Sequence, residues 1–221
     1  MTEADDEEKV SAAQPARIRV RILSLSDLVF GLALSIGSLF LVSRVPQTSQ
    51  DLEVNVLLFG FSFLIVVLAW LGYSRAMAVL SVEPPFALYT NLVLLFVVAL
   101  EPYLFYVLES AQTAGLANPA SVAYALDLGG LFFLQAALAY LVVKQDKAGL
   151  VGRRRVHPDD VARFRRLVKL DAVLGAIFVV STLPIFWVST PIGGVRFILW
   201  AFCLVAVLAG RSVRRPAKKH G

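Results

Sequence analysis

Arg21-Ile-Leu-Ser-Leu-Ser-Asp27-Leu-Val-Phe-Gly-Leu-Ala-Leu-Ser-Ile-Gly-Ser-Leu-Phe-Leu-Val42 decides the class of protein. It is apolar and long enough to span a bilayer, which takes about 20 mostly apolar residues in a helix. Yet it opens on a cation, two hydroxyls and an acid. Aspartate is costly inside a membrane and usually faces a partner or a water-filled path. Asp27 therefore has two readings. It is either an edge residue paired with Arg21 or part of a functional polar knot, and the two are compatible.

Beyond Asp27 the helix has two characters. Leu25, Leu32, Ser35, Ile36 and Leu39 fall on one face by their spacing. Gly31, Ala33, Gly37 and Ser38 cover much of the rest, and small residues let helices approach closely in lipid. The helix is expected to be central in a bundle. Its Leu/Ile face suits ordinary packing or lipid contact as well as it suits a pore.

The whole chain agrees with a membrane setting. Hydrophobic residues make up 58% of its 221 residues. Soluble domains run at about 45–50% apolar, so an all-α integral membrane protein is expected. The net charge is +5. The cations flank apolar runs, so they speak for orientation in a membrane and not for nucleic acid. The single cysteine, Cys203, excludes an intrachain disulfide and reads as a small buried or lipid-facing residue. Residues 1–16 are acidic and polar and read as a disordered tail without a signal peptide.

Six transmembrane helices are expected, at about 20–42, 54–79, 86–108, 120–143, 168–188 and 195–209, within a membrane domain of residues 17–210. Pro184 is expected to kink the fifth. Lys and Arg gather before the first helix, in the connection Lys144–Lys169 and in the basic tail 211–221. With six spans these share one side, and the positive-inside rule makes both termini cytoplasmic. The connection, with Arg153-Arg154-Arg155, reads as a topology determinant or as a surface for anionic lipid.

Little here suits catalysis. His157 and His220 lie off the expected spans, no Gly-rich phosphate loop with its Lys appears, and no group has metal-ligand spacing. No enzyme, metal or cofactor is expected. Of the intramembrane polar residues, Asn91 and Gln135 are the deepest. Helix one's hydroxyls and acid would suit Asn91 as partners. Asp171 is expected to pair with Arg166 or Lys169 at the membrane edge. Glu101 and Asp127 are expected near outer helix ends, either solvent-exposed or attracting cations to an outer vestibule.

Arg21-x-x-x-Leu25-Ser26-Asp27 resembles the Arg-x-x-x-Phe-Ser-Asp signature of the transmembrane protein 175 potassium channels. The resemblance continues in Val29-Phe30-Gly31-Leu32, in Trp70-x-x-Tyr73-Ser74 and in the run from Asn91 to Pro102, over about the first half of the chain. It implies a prokaryotic-type six-helix subunit in the cell (inner) membrane, assembled as a homotetramer around helix one. The pore would narrow at Leu32, with Ser35 as a hydroxyl layer and Ile36 and Leu39 as further aliphatic layers. Arg21, Ser26, Asp27, Trp70 and Asn91 would brace helix one. The partners implied are potassium ions, the lipid bilayer and further copies of the chain. Two departures stand out: Leu25 replaces the signature Phe, and Tyr73 and Ser74 stand where the family often has histidines. Other classes remain open: a secondary transporter coupling ions through Asp27 and Asn91, or a non-conducting membrane scaffold.

Overall fold

The computed structural model describes residues 20–39, 46–80, 85–110, 117–147, 158–190 and 193–212. Among them are six α-helices: α1 (Val20–Leu39), α2 (Ser49–Val79), α3 (Pro85–Ser110), α4 (Ala117–Lys147), α5 (Pro158–Val180) and α6 (Val195–Ser212). A 3-10 turn at Pro184–Phe186 and a two-residue hairpin, β1 (Ser189–Thr190) with β2 (Gly193–Gly194), join α5 to α6. The expected acidic tail, the Arg153–Arg155 run, both histidines and the tail beyond Ser212 lie outside the described residues.

The helix starts follow local chemistry. Thr48 and Asp51 form a reciprocal capping box, with Asp51 N–H donating to Thr48 Oγ1 at 3.1 Å and Thr48 N–H to Asp51 Oδ2 at 3.0 Å. That box starts α2 at Ser49, five residues before the apolar run. Proline opens both α3 and α5, where its missing N–H is harmless. Pro102 lies inside α3, and the helix runs through it.

Four helices are long and apolar enough to cross a membrane: α1, α2, α3 and the Asn118–Asp146 part of α4. The last two are shorter. In α6 the apolar stretch is Val195–Leu208. In α5 the last charge is Asp171, which leaves Ala172–Val180, about 14 Å of helix at 1.5 Å per residue. The helix expected over 168–188 ends at Val180 instead of kinking at Pro184. Ser181 Oγ donates to the Phe178 carbonyl at 2.6 Å, and Thr182 Oγ1 to the Val179 carbonyl at 2.7 Å. The hydroxyls thus satisfy carbonyls that a helix end leaves open. Leu183 is extended ahead of Pro184, as a residue before proline prefers.

Helix α4, not α1, is the centre of the subunit. Of the apolar window of α4, 67% is buried, against 22% for α1. Small residues explain the position of α4. At its crossing with α5, a Cβ on Gly175 would lie 3.0 Å from the Gly129 carbonyl oxygen, and one on Gly129 would lie 2.8 Å from Val179 Cγ2. The backbones meet where neither residue has a side chain. Aromatic rings close the remaining space around α4. Tyr124 packs against Trp200 of α6 at 5.8 Å between centroids, Trp200 against Phe178 of α5 at 5.7 Å, and Phe178 stacks on Phe132 at 5.6 Å. Trp200 Nε1 donates to Ser181 Oγ at 2.9 Å, so the ring's polar atom is satisfied in the core.

Candidate functional site

The spacing of side chains on α1 divides it lengthwise. Ile22, Ser26, Phe30, Ala33 and Gly37 recur at intervals of four and three and turn towards the subunit. Ser26, Phe30 and Ala33 are fully buried, and Phe30 lies against Tyr73 of α2 with ring centroids 5.5 Å apart. The opposite face carries Leu25, Leu32, Ser35, Ile36 and Leu39. Among the described residues nothing covers it: Leu32 is 50% exposed and Leu39 63%.

Two hydrogen bonds fasten the start of α1 to α2. Ser26 Oγ donates to the Ile22 carbonyl at 2.7 Å. Its one proton is thereby used, so Tyr73 OH is the donor in the 2.5 Å contact between the two hydroxyls. Asp27 Oδ1 accepts from Trp70 Nε1 at 2.9 Å. Trp70 and Tyr73 are three residues apart and so present one face of α2. Tyr73→Phe is expected to remove one bond and lower unfolding stability in detergent by about 1 kcal/mol, as for a typical single hydrogen bond. Thermal unfolding with and without the substitution checks it.

The other expected network members are placed differently. Arg21 is exposed. Six residues before Asp27 it lies about 120° away around the helix, out of reach of a local pair. Asp27 turns to Trp70 instead. Asn91 is buried to 1% exposure, as its depth suggested, but its Oδ1 has no hydrogen-bond partner. Ser26, which suited it as a partner, is taken by Tyr73.

Ser35 has a geometry that matters for ions. Its Oγ donates to the Gly31 carbonyl at 2.8 Å. With the proton committed to the helix, both lone pairs of the oxygen are left as acceptors on an exposed residue. In that state a hydroxyl can accept contact from a cation.

Gln135 is also buried, at 5% exposure, and its Oε1 approaches α2 at Gly72, where a Cβ would lie only 2.6 Å away. Together with Tyr73, Arg75, Phe164 and Asp171 it lines a cavity of about 10 Å³, the room of roughly one water. Asp171 is turned inward at 3% exposure, whereas Arg166 and Lys169 lie exposed.

Sequence reasoning misplaced one group. Glu101 and Asp127, expected at outer ends, are buried to 1% and 7% exposure between α2, α3 and α4. Glu101 Oε1 accepts from Ser62 Oγ at 2.7 Å and from Tyr124 OH at 3.0 Å. Tyr124 and Asp127 share a helix face at i, i+3, and that spacing was the available signal.

No protein-family model, no curated protein and no solved structure matches the chain.

Proposed function

We propose that the chain is one subunit of a potassium-permeable cation channel of the inner membrane, a homotetramer in which α1 of each subunit lines the pore. The observation that carries this is the uncovered face of α1. The helix is anchored to its own subunit by Ser26, Phe30 and Ala33 and is the least covered of the four long apolar helices. Its free side repeats aliphatic residues around one hydroxyl. Four such faces meeting on an axis make a ring of Leu32, then Ser35 and Ile36, then Leu39. An apolar neck holds back water and gates by dewetting. The Ser35 oxygen replaces part of the ion's hydration. The resemblance at Arg21-x-x-x-Leu25-Ser26-Asp27 points the same way. All six helices then cross the bilayer with both termini in the cytoplasm, α5 and α6 inserting behind α4.

The transporter alternative needs Asp27 and Asn91 to act together. Among the described residues no contact joins them: Asp27 is exposed beside Trp70, and Asn91 is buried. The test is flux into liposomes holding the purified protein under a potassium gradient, with a large organic cation as control. Electrodiffusive potassium current is expected. Saturable flux that requires a counter-ion would make it a transporter, and no flux at all would leave a scaffold.

Asp27 has a bracing role in this scheme. Asp27→Asn keeps an acceptor for Trp70 but turns a charge-assisted bond into a neutral one, a loss of about 1 kcal/mol. The yield of assembled protein is expected to fall while the ion preference stays. Normal yield with an altered potassium-to-sodium ratio would place Asp27 in the conduction path instead.

A further inference from the structure

Glu101 and Asp127 form a pair of carboxyl groups with no counter-cation among the described residues. Each lies about 14 Å in from the neighbouring ends of α3 and α4, at a rise of 1.5 Å per residue, so the two are at matching depth within the apolar helices. Tyr124, whose hydroxyl bonds Glu101, stands one turn before Asp127 on α4, so both acids meet on that side of the helix. Among the described residues the groups facing the pair are Ser62 from α2, Tyr124 from α4 and, packed at a tilt against Tyr124, Trp200 from α6. All three are neutral. Arg196 is one turn before Trp200 on α6, but its guanidinium hydrogen-bonds Asn118 and lies 5.7 Å from the Trp187 ring and 5.6 Å from the Phe197 ring. Just beyond α5, the Ser181 hydroxyl accepts from Trp200 Nε1.

Two buried like charges without a cation cannot both persist in a medium of low polarity. The hydrogen bonds separate the roles. Glu101 Oε1 accepts from two hydroxyls, an arrangement that stabilises the ionised form. Asp127 Oδ2 is fully buried and has no partner at all. A bare carboxylate oxygen there is far costlier than a neutral carboxyl.

We propose that this pair is an intramembrane proton-binding site, with the proton carried by Asp127 and Glu101 as its ionised neighbour. The site is separate from the pore face of α1 and does not depend on the channel reading. Its ligand is a proton taken from water and returned to it, with no other reactant.

Infrared spectroscopy of the purified protein reads the proton directly. At neutral pH the wild type is expected to show the carbonyl stretch of a protonated carboxyl that shifts in heavy water. D127N removes that band. E101Q keeps it. D171N, at the other buried carboxyl, leaves it in place. The wild-type spectrum needs no variant to fold, and the two amide substitutions keep the side-chain shapes. A wild type without the band at neutral pH overturns the site. A band lost in E101Q but kept in D127N overturns the assignment to Asp127, and one lost only in D171N places the proton elsewhere.

Discussion

Leu32→Asn is expected to raise potassium flux through protein-containing liposomes about tenfold and to let sodium pass more freely. The physical reason is the dewetting of an apolar neck. An ion crossing a ring of leucine side chains gives up water with little in return, and that loss is the barrier. Four amides in the same ring hold water and offer oxygens. Lowering the barrier by about 1.4 kcal/mol is enough for the tenfold change, small beside the cost of stripping water from an ion. Leu32 does not support the subunit core: half of its surface is exposed. Folding should therefore survive the change, and flux per assembled channel can be compared directly. Leu57 of α2 is a useful control, since it is also exposed, at 73%, but lies off α1. Leu57→Asn is expected to change flux much less. Equal effects at both positions, or none at Leu32, would remove α1 from the pore wall.

Gly175→Leu is expected to be the most damaging single change outside α1. A Cβ there would lie 3.0 Å from the backbone oxygen of Gly129 and 3.0 Å from the Phe133 ring. A flexible side chain could yield, but a carbonyl in the middle of the central helix cannot. The two helices must separate, with overpacking losses of about 2–3 kcal/mol or more. Little assembled protein should be recovered, and what is recovered should melt early. Gly130, next to Gly129 in sequence, has nothing within 4 Å of where its Cβ would stand. Gly130→Ala should be tolerated and can gain up to about 1 kcal/mol from helix propensity. A melting-temperature comparison of the two variants separates close contact from a general need for glycine. Similar behaviour of both would mean that α4 and α5 do not meet at this crossing.

How far the residues disclosed the fold can be traced element by element. The long apolar runs gave α1 to α4 because length and composition alone decide them. That Leu25, Leu32, Ser35, Ile36 and Leu39 share one face of α1 was legible from spacing, but that this face is the exposed one was not. Which helix is central was not legible. The small residues of α1 suggested close packing, but the backbones that meet are those of α4 and α5, at Gly129 and Gly175. That contact joins residues 46 positions apart and leaves no local trace. The end of α5 was misplaced because Pro184 drew attention away from Ser181 and Thr182. Their hydroxyls close the helix before the proline is reached. The burial of Glu101 and Asp127 was hidden for a different reason. A carboxylate near a helix end reads as interfacial by default, and the hydroxyls that hold Glu101 come from α2 and α4, one on each side of it in the chain. Asn91 and Gln135 were easier, because an amide deep in an apolar run has nowhere else to go.

The glycine crossing bears on how the molecule is made. A segment with charges as far along as Asp171 and only nine apolar residues after them is a poor substrate for the insertion machinery on its own. Helix α4, emerging from the ribosome first, supplies the surface that α5 lacks: a groove without side chains at Gly129. If α5 crosses the bilayer as proposed, biogenesis proceeds by pairs, the later helix waiting on the earlier, and a lesion at that groove would be felt first as degradation of newly made chains.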